Sequence, residues 1–524
     1  MRRTSLFADP GGIFVHDLVT RAAHEFGERT AIVDTSCSPM RRLTFAEYGD
    51  VVERLAKGFA ASGVRPGDVV AIFLPNSWEF CAAYHAATRA GAIPTLINPS
   101  YRERELRYQI EASGASLLIS DGALLAEVDL RGLPTLRKIC TTRTSASGAD
   151  SFDSLLTSSI ASVHPLDSDT TTTLAALPFS SGTTGLPKGV MLTHSNLVSN
   201  VYQLLVPENS PLQLHDRLLC FLPLYHIFGL NVALNPAFVL GITLILMPRF
   251  DVERALHWIQ SEEITFMPCV PPVLNAFVQA AEKGKFPQDH KMRGAKSGAA
   301  PLPAELARLF TERTGIPVVQ GYGMTEASPV THVGRLTGPL AKPDSIGFPL
   351  AETDCRIVDL QTGCETDGPG ELVMRGPQFM LGYWNSPEAT ADVLREGWYW
   401  SGDIVTRDEV GRYKVVDRRK EMIKFKGFPV APAEVESVLM EHPAIRDCGV
   451  VGKCDHDAGE IPCAFVVLRE GFAESEEMRR GICGFVGERL TSYKQPREIR
   501  FVTAVPRNPS GKILRRKLRE QLEA

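Results

Sequence analysis

Apolar and polar positions along the first third of the chain follow two periods that take turns. Thr44 and Glu47 have capping-box spacing and precede Val51, Val52, Leu55 and Phe59 at helical intervals, a run that Gly63 stops. Residues 69–74 are continuously apolar and predict a buried strand, Trp78–Arg89 predicts a helix, and residues 92–97 predict the next strand. Strand, helix and strand at this spacing predict a parallel sheet covered on both faces. Between 141 and 173 Ser, Thr, Asp and Ala dominate, which predicts a surface connection between subdomains. Apolar runs resume at 219–222, 242–246, 264–270 and 318–320 as a second α/β series. Beyond residue 340 the pattern turns to short strands between Gly, Pro and Asp turns, at 355–358, 370–375 and 412–416. The charged cluster 417–421 follows, and the last stretch mixes a helix (432–440) with strands (448–451 and 464–468).

The expected fold class is therefore α/β. A large N-terminal domain (1–416) would hold two doubly wound α/β subdomains and a small β-rich subdomain. The charged cluster 417–421, either a hinge or a solvated loop, would lead to a small α+β C-terminal domain (422–524), mobile if the cluster is a hinge. A length of 524 residues agrees with more than one core.

Composition narrows the function classes. With 44% hydrophobic and 22% charged residues and a formal charge of −5, nothing calls for a nucleic-acid partner. The 11 cysteines include no C-x-x-C pair, which fits reduced thiols in a cytoplasmic protein without structural zinc. The most apolar long stretch, 232–247, contains Pro236 and Gly241 and is short for a bilayer crossing, so a buried helix followed by a strand is expected and no membrane-spanning segment. The first residues lack the apolar core of a signal peptide and the last lack a peroxisomal tripeptide.

Candidate chemistry concentrates in Ser180-Ser181-Gly182-Thr183-Thr184-Gly185-Leu186-Pro187-Lys188-Gly189. Glycines free backbone N–H groups to turn inward, hydroxyls add donors and Lys188 adds charge, together a cradle for a polyphosphate. The G-x-x-x-x-G-K-[ST] spacing of a Walker loop is absent. His226 stands in the apolar segment 223–230. Gln320-Gly321-Tyr322-Gly323-Met324-Thr325-Glu326 follows a predicted strand, placing an aromatic ring, a hydroxyl and a carboxylate where open α/β sheets bind ligands. The ring can stack on a base and the carboxylate suits Mg²⁺. Asp403 after Tyr399-Trp400-Ser401-Gly402 suits either a ribose-hydroxyl acceptor or a turn, and Lys512 sits on a turn ahead of a basic helix.

Taken in order, SSGTTGLPKGV, LPLYHIFGL, KSGAAPL, QGYGMTEA, YWSGDI, DRRKEMIKFKGFPVAPAEVE and NPSGKILRRKL resemble the adenylate-forming superfamily of acyl-CoA synthetases, luciferases and adenylation domains over almost the whole chain. The style is that of the 4-coumarate–CoA ligases and related acyl-CoA ligases. The resemblance implies an acid–thiol ligase that uses ATP, Mg²⁺ and CoA, makes an acyl-adenylate with release of pyrophosphate, then a thioester with release of AMP. It implies that Ser180, Ser181, Gly182, Thr183, Thr184 and Lys188 bind the β- and γ-phosphates. Gly298, Ala299, Ala300, Gln320, Gly321 and Tyr322 would surround the adenine, Thr325 would bond the α-phosphate, Glu326 would hold Mg²⁺, and Asp403 and Arg418 would fix the ribose. Lys512 would bridge the substrate carboxylate and the α-phosphate, Lys420 would be the hinge residue, and Lys424, Lys426, Gly427 and Arg249 would meet CoA. His226, Ile227, Phe228, Asn231, Pro268, Lys296, Gly321, Gly323, Pro329, Val330 and Thr331 would form the acyl pocket.

Three positions depart from the plant coumarate ligases: Phe228 stands for a tyrosine, Thr331 for a leucine and Pro429 for a glutamine. The resemblance thus leaves two acid classes open, an arylpropenoate such as 4-coumarate or cinnamate and a medium-to-long-chain fatty acid. A carrier protein remains the alternative acceptor to CoA, and a phosphotransferase releasing ADP is the rival from another class. The expected assembly is a monomer or homodimer.

Overall fold

The computed structural model describes residues 12–157, 163, 168–180, 186–206, 212–336, 338, 342–343, 345–426, 428–455, 457–507 and 511–523. The helix Phe45–Ala61 begins as the sequence predicts: Thr44 accepts from the Glu47 N–H, and the Glu47 carboxylate accepts from the Thr44 N–H. This helix packs on Trp78–Arg89, a helix whose first eleven residues are all buried, as befits one wedged between two layers.

Two sheets with parallel strands organise the N-terminal part. One runs in the order Ile93–Leu96, Val69–Phe73, Ala115–Asp121, Lys138–Thr142, Asp150–Ser151, parallel throughout. The larger sheet has nine strands among the described residues. Its parallel centre is Val318–Gly323, Gly294–Ser297, Phe266–Cys269, Arg217–Cys220, Thr243–Leu246 and Thr30–Asp34, and Val330–Val333, Phe348–Pro349 and Arg41–Thr44 add antiparallel edges. Continuous burial of the central strands explains their apolar sequences.

The stretch 141–173 is not wholly a loop, as its composition suggested. It holds the edge strand Asp150–Ser151 and the helix Phe152–Leu155, whose Phe152 and Leu155 are buried. The apolar stretch 232–247 is helix then strand as expected, with a π-turn at Leu230–Leu234 leading into the helix Asn235–Leu240.

The strands Asp354–Val358, Gly370–Arg375, Trp398–Arg407, Leu394–Arg395 and Tyr413–Arg418 form an antiparallel sheet. After it, Ile423–Phe425, Phe428–Val430, Ile445–Asp455, Gly459–Leu468 and Glu498–Phe501 make a separate sheet. This C-terminal unit has its own core, including Val435, Leu439, Val450, Val466, Ile482 and Val486. No helix among the described residues is long and apolar enough to cross a membrane.

Candidate active site

The phosphate-loop sequence is flanked by two paired strands. Strands Phe179–Ser180 and Lys188–Thr193 are antiparallel, and Ser180 pairs with Lys188. A Walker loop leads from a strand into a helix; here both flanks are strands, which accounts for the different spacing. Ser181, Gly182, Thr183 and Thr184 lie outside the described residues. The Ser180 hydroxyl donates to the Glu326 carboxylate at 3.4 Å. Tyr383 donates its hydroxyl to the same Glu326 oxygen at 2.8 Å, and the Lys188 ammonium stands 5.4 Å from the centre of the Tyr383 ring. Sequence reasoning missed Tyr383. Its place is set by Gly382–Tyr383, a short strand that pairs with Lys188–Thr193, a long-range fact that the local sequence does not announce.

The next group lies at the C-terminal ends of two parallel strands. Ser297 pairs with Gln320, so Gly298, Ala299 and Ala300 leave one strand beside Gly321 and Tyr322 on its neighbour. Ala299 sits at φ +64°, and the Gln320 side-chain oxygen accepts from the Leu302 N–H at 2.7 Å, holding this turn closed. Tyr322 donates its hydroxyl to Asp403 at 2.5 Å, and the Arg418 guanidinium lies 3.1 Å from the other Asp403 oxygen. Burial and the adjacent Asp403 carboxylate push the Tyr322 phenol well up, so it stays neutral. Desolvation works against the Arg418 charge, and Asp403 together with Tyr322, Glu421 and Tyr399 more than offsets it. Thr325 opens the short 3₁₀ turn that carries Glu326.

Lys512 joins this cluster. Burial and the nearby Arg418 lower its pKa to about 8, against Asp403 and Glu421, which act to raise it. Next to it, a Cβ on Gly511 would sit 3.3 Å from Pro272 at the start of the helix Pro271–Glu282, so the hairpin bearing Lys512 rests on the N-terminal unit. Arg507 steadies that hairpin by donating to the Gly511 carbonyl at 2.7 Å while pairing with Asp447 at 2.6 Å.

Of the residues expected to line the acyl pocket, Val330 shares the apolar cluster of Phe228, and Gly298, expected at the adenine, also lies close to Phe228. The Phe228 ring lies so near Gly298 that a Cβ there would be 2.9 Å away, and a Cβ on Gly323 would strike the Pro329 carbonyl at 1.9 Å. Lys296 is 4% exposed on the strand Gly294–Ser297, and burial alone brings its pKa down to about 7. A small cavity joins it to Leu204, Leu212, Leu218, Val232, Phe266 and Pro268. Val330 packs in one apolar cluster with Val232 and Phe228. Ile227 is buried, and Thr331 turns its hydroxyl to His332 Nδ1 at 3.0 Å. The Asn231 amide is fully engaged, donating to the Leu197 and Ser328 carbonyls and accepting from Asn235. His226 caps the turn Ile227–Gly229. Its Nδ1 is buried without a partner among the described residues, and desolvation lowers its pKa, leaving a neutral imidazole.

A cavity of about 470 Å³ is lined in part by Tyr225, the residue before this histidine. Pro223, Tyr225, Arg249, Phe250, Arg507 and Gly511 are among its walls, and Arg249 is exposed. The remaining basic residues are elsewhere: Lys424 and Lys426 are exposed on the hairpin Ile423–Phe425 to Phe428–Val430, and Lys420 is exposed on the preceding turn. Gly427 lies outside the described residues.

Residues 19–384 match the AMP-binding enzyme family and residues 434–512 match the AMP-binding enzyme C-terminal domain. Among curated proteins, 4-coumarate–CoA ligase 5 of Oryza sativa subsp. japonica is 37% identical over 99% of this chain and 96% of its own length. 4-Coumarate–CoA ligase 2 of Solanum tuberosum is also 37% identical, over 98% of this chain and 95% of its own. Among solved structures, the anthranilate CoA ligase AuaEII in complex with anthranoyl-AMP superposes with a TM-score of 0.89 at 26% identity, covering 100% of this chain and 99% of that one. ATP-bound MatB from Rhodopseudomonas palustris gives 0.86 at 28% identity, covering 97% and 99%.

Proposed function

The chain belongs to the AMP-binding enzyme family and is an AMP-forming acid–CoA ligase, and on that premise we propose that its acid is an arylpropenoate of the 4-coumarate type. In the first half-reaction the acid carboxylate attacks the α-phosphate of ATP, forming the acyl-adenylate and releasing pyrophosphate. In the second the CoA thiol loses its proton, attacks the acyl carbonyl, and AMP departs. No covalent bond to the protein is required, so catalysis rests on positioning and charge neutralisation.

The observation that carries the substrate reading is Lys296. It lies two residues deeper along its strand than Gly298, in surroundings that are otherwise apolar, with a pKa of about 7. A buried amine of this kind is stabilised by one hydrogen-bonding group at the far end of the acid. The ring hydroxyl of 4-coumarate supplies it, whereas a fatty-acid tail leaves Lys296 without an acceptor. Phe228, which has no hydroxyl of its own, leaves this task to the lysine.

The other roles follow the resemblance, and the observed contacts support them. Ser180 and Lys188, with the residues between them, hold the β- and γ-phosphates. Gly298, Ala299, Ala300 and Tyr322 hold the adenine, Asp403 and Arg418 the ribose, and Thr325 the α-phosphate. The buried Glu326 carboxylate, with one oxygen fixed by Tyr383 and Ser180, fits Mg²⁺, which takes hard oxygen ligands and would neutralise phosphate charge there. Lys512, within the field of Asp403, cancels the repulsion between the incoming carboxylate and the α-phosphate. CoA enters by the Arg249 cavity, with neutral His226 as a wall between thiol channel and acyl pocket. Rotation about Lys420 exchanges Lys512 for the face bearing Lys424 and Lys426.

The test compares 4-coumarate with cinnamate, which lacks the hydroxyl, in the enzyme and in Lys296→Met. The enzyme is expected to favour 4-coumarate, and the variant to lose about tenfold of that preference. An unchanged preference, or faster turnover of a fatty acid, contradicts the reading.

A further inference from the structure

Behind the acyl pocket, two sets of buried polar side chains converge on one short piece of backbone. The first begins at Tyr48, whose hydroxyl lies 2.7 Å from His85 Nδ1. His85 Nε2 is 3.2 Å from Asn235 Oδ1, and Asn235 Nδ2 donates to Asn231 Oδ1 at 2.7 Å. Asn231 Nδ2 then donates to the carbonyls of Leu197 at 3.1 Å and Ser328 at 2.5 Å. Tyr48, His85, Asn235, Asn231 and Ser328 are all 0% exposed.

The direction of this chain is forced. Asn231 gives both amide hydrogens to carbonyls, so its oxygen must accept from Asn235. The Asn235 oxygen therefore faces His85 Nε2, which must carry the ring hydrogen, and Nδ1 is left to accept from Tyr48. Burial brings the His85 pKa down to about 3, so this one neutral tautomer persists at ordinary pH.

The second set comes from the helix His194–Leu205, which also supplies the Leu197 carbonyl. Asn200 accepts from the Val330 N–H at 3.1 Å and donates to the Val330 carbonyl at 2.7 Å, gripping that residue as a neighbouring strand would. Asn200 also donates to Gln203 at 3.1 Å, and Gln203 continues to the Ala351 carbonyl and to Gln378. Ser328 and Val330 flank Pro329, and Val330 shares its apolar cluster with Phe228 and Val232. Asn231 at Ser328 and Asn200 at Val330 thus hold the backbone before and after Pro329. Asn231 and Asn235 belong to or adjoin the π-turn Leu230–Leu234, a local irregularity often associated with functional sites.

A buried polar chain is costly wherever a well-packed apolar set would serve, so its fully satisfied course to the pocket wall asks for a role beyond packing. We propose that His85 and Asn235 are positioning residues that set acid selectivity: they orient Asn231, Asn231 holds the Ser328 carbonyl, and the 328–330 wall takes its shape from that bond. Neither touches the acid. The proposal rests on the assignment of Phe228 and Val330 to the acyl pocket.

The test uses the two best acids from a panel on the unaltered full-length enzyme and reads the ratio of their kcat/KM values, together with KM for ATP. Asn235→Asp keeps the acceptor for His85 and loses the donor to Asn231. His85→Asn loses the Nε2 donor, and His85→Gln restores a donor near that place. Asn235→Asp and His85→Asn are expected to shift the acid ratio about fivefold or more with KM for ATP within about twofold, and His85→Gln to return most of the way. An unchanged ratio in both, with only a lower melting temperature, overturns the proposal, as does an equal loss of acid and ATP affinity. Because a ratio does not depend on how much protein folds, poor yield does not blur the result. The panel on the unaltered enzyme judges the 4-coumarate assignment separately, whatever the variants do.

Discussion

Tyr322 and Asp403, 81 residues apart, are joined by a 2.5 Å hydrogen bond at the meeting of two sheets. Arg418 holds the same carboxylate from the other side, and Lys512 lies within reach of its field. One aspartate therefore ties together the Tyr322 ring, the Arg418 guanidinium and Lys512. On the roles proposed above, this arrangement suits the adenylating half-reaction.

Removing that lysine should divide the two half-reactions. Lys512→Ala is expected to lower pyrophosphate release by about 10² to 10³-fold, the usual effect of losing one preorganised charge at a reacting oxyanion. Thioester formation from a preformed acyl-adenylate should remain within a few-fold. Equal losses in both half-reactions would contradict the role.

The pH dependence follows from the same residue. Its pKa is lowered to about 8, so the ammonium is charged below that value and loses its proton above it. Adenylation should therefore fall about tenfold per pH unit above 8, while thioester formation from supplied acyl-adenylate lacks that limb. Lys512→Arg, charged at every working pH, should remove the limb even if its rate is lower. A limb that persists in the arginine variant assigns the titration to another group.

Lys420 is exposed on a turn with fastenings beside it. The Asp417 carboxylate accepts from the Ala433 N–H at 2.8 Å, and Glu421 lies 3.3 Å from Arg519. With the proposed hinge at Lys420, the Asp417–Ala433 bond spans it and would open on rotation, whereas Glu421 and Arg519 would turn together. Lys420→Pro, with φ fixed, is expected to keep adenylation within about twofold and slow thioester formation at least tenfold. Unchanged overall turnover, measured as acyl-CoA formed with ATP, acid and CoA, rules the hinge out.

Much of the fold was legible because its signals are local. The capping box at Thr44 and Glu47 and the apolar run of Trp78–Arg89 state their structure in their own sequence. Gly294–Ser297 was passed over because Gly-Ala-Lys-Ser has no strand character; it is a strand only because parallel neighbours flank it on both sides. Asp150–Ser151 similarly depends on its partner strand. The catalytic candidates were readable through resemblance, which marks residues far apart in the chain. Tyr383, His85 and Asn235 were not, since a polar residue within an apolar run reveals its burial but not its partners.

The most direct measurement is a carboxylic-acid panel of cinnamates, benzoates and fatty acids of increasing length, with ATP, Mg²⁺ and CoA, scored by the nucleotide and thioester formed. The account predicts AMP, pyrophosphate and the acyl-CoA, with 4-coumarate giving the highest kcat/KM. Preference for a long-chain fatty acid, or ADP as the product nucleotide, would contradict it.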